Sequence, residues 1–180
     1  TATASPPAWL TRKWPEVLPV TNQGVRHSHG GRQAYCVSSP IYKQKAADLA
    51  GRLAERYSKH PALKMWHVNN EYGCHNPLCF CDQSEIAWRS WLKLRYSNLD
   101  ELNRAWGTNF WSQKYHDWEE INVPAETPAG TYPNPSMFLD FRRFSHYQIL
   151  DLYRAEKDQI RKFDSSTPIT TNFMSMKHSG

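Results

Sequence analysis

The stretch Trp66-His-Val-Asn-Asn70-Glu71-Tyr-Gly73 concentrates the chemistry of this 180-residue chain. The apolar run from Leu63 to Val68, bounded by Pro61 and Gly73, predicts a short buried strand. It ends in an amide pair and a carboxylate, and a glycine turn follows. A carboxylate at a strand end can act as a general acid where burial raises its pKa. The amide beside it, Asn70, can hold a substrate hydroxyl. The same residues also suit an ordinary surface turn, so their pattern alone leaves both readings open. His67, in mid-strand, reads as a buried, hydrogen-bonded residue.

A second group of reactive side chains sits in loops. Cys36, Cys74, Cys79 and Cys81 are too few and too unevenly placed for a disulfide scaffold, which points to a reduced, cytoplasmic setting. Residues 11–38 hold Pro15, Pro19, Gly24, Gly30 and Gly31 with little periodicity and read as one long loop. Loops of that length are usually functional or disordered. Arg26, His27, His29, Arg32 and Tyr35 favour function here, and His27 and His29 lie near enough to Arg32 to line a common site.

The elements that must position these groups follow from caps and periodicity. Residues 1–10 read as the end of a strand running into a Pro-stiffened loop. Ser39-Pro40 opens a helix, with Tyr42, Ala46, Leu49, Leu53 and Tyr57 on one face, ending near Ser58. A second helix runs from about Ser84 to Tyr96 with Ala87, Trp91 and Leu94 together. Asn98-x-x-Glu101 resembles a capping box for a short helix that stops at Gly107. Pro135 opens a long helix to about Phe163, with Met137, Phe141, Phe144, Leu152 and Ala155 on one face and a solvated charged face opposite. Pro168 to Met174 reads as another strand. This βα alternation predicts a parallel sheet. Two strands cannot cover both faces of such a sheet, so residues 1–180 read as one partial domain of a larger α/β barrel, incomplete at both ends.

Composition narrows the function classes. Lysine and arginine total 22 against 17 acidic residues, a net charge of +5, and the charges are interspersed. No basic block tracks a phosphate backbone, so nucleic acid is not the expected partner. No apolar run spans a bilayer and no signal peptide is visible, so no membrane partner is expected. Eight Trp, nine Tyr and seven Phe supply core area and also flat faces that stack on sugars.

Beyond these local signals, the chain resembles the family 42 glycoside hydrolases, the bacterial β-galactosidases. The resemblance runs through Thr1–Leu10, Gly31-Arg32-Gln-Ala-Tyr-Cys36, Trp66–Gly73, Cys79-Phe-Cys81, Ala105–Gln113, Leu139–Phe144 and Thr170–Met174. It implies a (β/α)8 TIM barrel, of which this segment spans about the end of strand 3 through strand 5. It further implies retaining hydrolysis of terminal β-D-galactosides. Glu71 matches the general acid/base, Asn70 the residue that holds the 2-hydroxyl, Arg32 a sugar-binding arginine, and Trp111 an aromatic wall of the galactose site. The family's nucleophile is a glutamate at the end of strand 7, and no position here matches it. Glu119, Glu120 and Glu126 do not fit its motif, so the segment alone is expected to be inactive. The family often forms trimers, so the parent protein is expected to be one.

Cys36, Cys79 and Cys81 match three ligands of a structural zinc site found in some members, and Ser84 replaces the fourth cysteine. Serine is a poor zinc ligand, and Cys74 or His75 does not match the pattern, so the expectation is no cofactor. Two alternatives remain at this stage. One is a non-catalytic zinc or carbohydrate-binding module built on Cys36, Cys74, Cys79 and Cys81. The other, within the enzyme class, is an α-L-arabinopyranosidase.

Overall fold

The computed structural model describes residues 3–128, 130 and 134–173. In chain order these form α1 (Ala8–Lys13), α2 (Pro40–Tyr57), β1 (Trp66–Asn70), α3 (Asp82–Arg95), α4 (Leu99–Trp106), α5 (Pro135–Arg161) and β2 (Ile169–Asn172). Short 3-10 turns lie at Pro15–Val17 and Trp118–Glu120. β1 and β2 pair in parallel, with Trp66 opposite Ile169 and Asn70 opposite Asn172. Parallel neighbours need a crossover, and here it carries α3, α4 and α5. No helix among the described residues is long and apolar enough to cross a membrane.

Local chemistry sets the helix ends. Ser39 accepts a hydrogen bond from the Tyr42 amide at 3.2 Å, and Pro40 occupies the first turn of α2. Asn98 accepts from the Glu101 amide at 2.9 Å. The Glu101 carboxylate accepts from Ser97 rather than from the cap residue, a one-residue departure from the expected box. Gly107 ends α4 in the left-handed region, at φ 65°. Asn134 caps α5 by accepting from the Ser136 and Met137 amides.

Two expected helix faces are rotated in the structure. α2 buries Tyr42, Ala46, Ala47, Ala50, Gly51 and Ala54, and leaves Leu49 and Tyr57 exposed. The small residues let α2 lie close against α5: a Cβ on Gly51 would sit 3.4 Å from Gln159 Cβ. α3 buries Ser84, Trp88 and Leu92, while Leu94 is 85% exposed. On α5, Met137, Phe141, Phe144 and Leu152 are buried as expected. Asp140, Gln148 and Glu156 share that face, and Ala155 is half-buried.

Residues 1–2 lie outside the described part, and residues 3–7 form no strand. The long 11–38 loop carries the end of α1 and a 3-10 turn. β1 begins at Trp66, three residues later than its apolar run suggested, and Met174 lies beyond the described residues.

Two layers of core position the strand ends. Ala50, Ala54, Trp66, Val68 and Ile160 join β1 to α2 and α5. Trp88, Leu92, Leu102, Trp106, Ile121, Met137, Phe141 and Phe144 close α3 and α4 onto α5. At the rim of this second layer the buried Asp140 carboxylate accepts from Tyr96 at 2.5 Å, Trp106 at 3.0 Å and Arg143 at 2.9 Å, and pairs with Arg95 at 3.2 Å. Burial pushes this carboxyl up. The Tyr96, Trp106 and Arg143 hydrogen bonds and the Arg95 charge outweigh it and hold the group below the usual range.

Candidate active site

β1 delivers Asn70 and Glu71 to its C-terminal end, and Glu71 leaves the strand at φ +53°. A non-glycine residue in the left-handed region persists only where its surroundings hold it. Three groups do so here. Asn172, at the end of β2, accepts from the Glu71 amide at 3.2 Å. Gln33, buried and itself at φ +53°, donates to the Asn70 carbonyl at 3.0 Å and to the Glu71 carbonyl. Its carbonyl accepts from the His75 amide at 3.2 Å. Asn69, fully buried, accepts from the Asn70 amide at 2.7 Å.

The Glu71 carboxylate is 14% exposed and lies 2.5 Å from Arg32 Nη2. The Arg32 side chain is 58% exposed, so it has solvent room to change partner. A cleft of about 220 Å³ opens beside it, lined by His27, Arg32, Gln33, His75 and Asn76 among others. Arg32, Asn70 and Glu71 therefore meet at one strand end. His27 borders the same cleft, whereas His29 pairs with Thr11 at 3.1 Å.

Trp111 does not join them. Its ring is 82% exposed and stacks on Phe110, with centroids 4.6 Å apart. It lines a separate cleft with Trp106, Gly107, Gln113 and Asn134. Trp111 and Ser112 both adopt positive φ, at 47° and 57°, so this loop too is held in a sparsely populated conformation.

His67 corrects an expectation. It is exposed, and its Nε2 lies 2.9 Å from Asn172 Oδ1. Alternation explains this: Trp66 and Val68 face the helices, so His67 points to the opposite face. Asn172 thus links His67 to the Glu71 backbone.

Glu119 pairs with Arg89, Glu120 completes a capping box with Asp117, and Glu126 accepts from Asn22 and Gln23. These loop carboxylates hold their own segments together.

The cysteines divide into two groups. Cys36, Cys79 and Cys81 are buried, with sulfurs within 4.8 Å of one another. Ser84 Oγ lies 3.3 Å from Cys36 Sγ and 3.7 Å from Cys81 Sγ, in the place of a fourth ligand. Hydrogen bonds with Cys79 and Cys81 push the Cys36 thiol up, whereas those with Cys36 and Cys79 hold Cys81 low. A closed structural zinc site takes four good ligands; the groups gathered here are three thiols and a hydroxyl. Cys74 lies elsewhere, grouped with Glu71 and His75. The structure therefore parts with a module built on all four cysteines.

Sequence reasoning missed Gln33, Asn69 and Asn172 as functional positions. Each lies inside a quoted motif: Gln33 adjoins Arg32, Asn69 adjoins Asn70, and Asn172 ends the strand beside β1, so a polar residue at a parallel strand end was the available signal for the last two.

Asn70 and Glu71 stand together at the C-terminal end of a parallel strand, the place where α/β barrels carry their reactive side chains. The chain belongs to glycoside hydrolase family 42, since the family's β-galactosidase model matches residues 1–180. It is 48% identical over 176 residues to a β-galactosidase of Heyndrickxia coagulans, covering 98% of this chain and 26% of that one. It is 50% identical over 174 residues to one of Geobacillus kaustophilus, covering 97% and 26%. Among solved structures it matches a catalytic mutant of a family 42 β-galactosidase from G. stearothermophilus. The TM-score is 0.90 at 44% identity, over 99% of this chain and 25% of that one. The chain thus spans about a quarter of the proteins it matches, and it is a segment of their TIM-barrel fold.

Proposed function

We propose that the protein carrying this chain is a retaining glycoside hydrolase that releases terminal β-D-galactose, with Glu71 as its general acid/base. The observation that carries this reading is the seat of Glu71. It sits at a strand end, backbone-locked by Asn172 and Gln33, with its carboxylate against an exposed arginine. In the retaining mechanism one carboxyl protonates the leaving oxygen, and a second, about 5–5.5 Å away, attacks the anomeric carbon. Glu71 takes the first role and later activates water. The nucleophile belongs to a part of the barrel outside this segment, so the segment alone does not turn over. When a sugar enters, Arg32 exchanges its ion pair with Glu71 for a sugar hydroxyl. Asn70 holds the 2-hydroxyl, a contact that strengthens in the transition state. Trp111 enters as an aromatic wall through the resemblance alone.

The whole protein is expected to release β-galactose as the first-formed anomer, read by proton NMR in the first minutes of reaction. Initial release of α-galactose would overturn retention. Faster turnover of α-L-arabinopyranosides than of galactosides would move the substrate assignment to the pentoside.

We propose further that the Cys36, Cys79 and Cys81 cluster holds no zinc in this protein, because its fourth position is Ser84. Metal analysis of protein purified without chelator is expected to find well under one zinc per chain. Ser84→Cys is expected to raise this to about one, since it completes a tetrahedral thiolate set. Full occupancy before the substitution would overturn the proposal. The free thiols suit a cytoplasmic location. The family resemblance favours a homotrimer, which sedimentation equilibrium would test.

A further inference from the structure

Behind the Asn70–Glu71 strand end lies a fully buried carboxylate that the proposed chemistry does not use. Glu156 projects from α5 and has no measurable solvent exposure. Its Oε1 accepts from the Tyr72 hydroxyl at 2.9 Å and from Asn69 Nδ2 at 3.5 Å. Its Oε2 accepts from the Thr3 hydroxyl at 2.7 Å. Asn69 and Tyr72 are the residues on either side of Asn70–Glu71, and both are buried. One carboxylate therefore pins the chain immediately before and immediately after the pair.

The orientation of Asn69 matters most. With its NH2 turned to Glu156, its carbonyl oxygen faces the Asn70 amide and accepts from it at 2.7 Å. Glu156 and the Asn70 N–H select the same orientation, because the flipped amide would set its oxygen against the carboxylate and its NH2 against the Asn70 N–H. Burial, and next the nearby Glu156 charge, push the Tyr72 hydroxyl well above its ordinary range, so it stays a donor.

We propose that Glu156 is a positioning residue for the general acid. It fixes Asn69 and Tyr72 so that the intervening Glu71 keeps its left-handed backbone and its aim. The inference rests on the reading of Glu71 as the acid/base. Small displacements of a catalytic group cost rate out of proportion to the distance, on the order of 10²-fold for 1 Å.

The test uses the whole protein with Glu156→Leu and Glu156→Gln, assayed as kcat/KM on alkyl and on nitrophenyl galactosides. Glu156→Leu fills the volume but accepts no hydrogen bond. It is expected to lose ~10-fold or more on alkyl galactosides, which need acid help, and much less on nitrophenyl galactosides. Glu156→Gln keeps an acceptor for Tyr72 and Asn69 and is expected to restore most of the loss. In a Glu71→Gln background, Glu156→Leu is expected to add little on alkyl substrates, because the group it positions is gone. Should Glu156→Leu fail to fold, Tyr72→Phe removes one of the same hydrogen bonds and is expected to show the same substrate dependence, weakened. Equal losses on both substrates would overturn the inference, as would an undiminished loss in the Glu71→Gln background. If Glu71→Gln itself showed no leaving-group dependence, the reading of Glu71 would fall first and take this inference with it.

Discussion

Replacing Glu71 with Gln in the whole protein is expected to lower kcat/KM on alkyl β-galactosides by about 10²–10⁴-fold, the usual worth of a positioned general acid. On nitrophenyl galactosides the fall in kcat/KM is expected to be far smaller, because that leaving group departs without a proton. The second chemical step tells the other half. In the proposed retaining mechanism Glu71 also removes a proton from water, so the nitrophenyl reaction should stall at the glycosyl-enzyme and show a burst of nitrophenol followed by slow turnover. A small anion such as azide needs no base and should relieve the stall. The fold should survive the change, since the local seat is built from backbone contacts of Glu71 and Gln preserves its shape. Unaltered kcat/KM on alkyl galactosides in Glu71→Gln would remove the assignment.

The largest expected loss of stability comes from Trp88. It is fully buried between Trp91 and Trp106, which stack on it, and meets Phe141 edge-on with centroids 5.4 Å apart. Trp88→Ala should cost about 3–5 kcal/mol, the range for emptying a large aromatic site that cannot collapse. Rigid neighbouring rings make collapse here especially hard. Trp88→Phe should cost much less. The indole N–H finds no hydrogen-bond partner among the described residues, so losing it returns part of a desolvation penalty of about 1–3 kcal/mol. Denaturant midpoints of the whole protein check both, and Phe as costly as Ala would refute the argument.

The sequence was most informative where structure is local. Ser39-Pro40, Asn98 and Asn134-Pro135 mark helix starts because a short polar side chain beside the first turn satisfies amides that nothing else can reach. Helix faces were less legible. Leu49 and Leu94 suggested stripes by their size, but close approach of α2 to α5 favours Ala46, Ala50 and Gly51, and α3 turns Trp88 inward. Apolar periodicity tells how many faces can be buried, and the neighbour decides which one is. That Arg32 and Glu71 belong to one site followed from family resemblance, not from spacing, since they lie far apart in sequence; their ion pair is seen only in the structure. The lock on Glu71 was not legible. A positive φ at a glutamate is imposed by Gln33 and Asn172 from distant segments. Trp111 lines a different cleft of this segment from Arg32, a placement no local pattern announced.

The Asn172 hydrogen bond to the Glu71 amide has a consequence for recombining such barrels. The proposed proton donor sits after one strand, but its backbone is held by a side chain from the next strand of the sheet. Chimeras that exchange a single βα repeat at this place would separate a tenon from its mortise. Breeding new specificities from related sequences should therefore move the two repeats together, as one cassette.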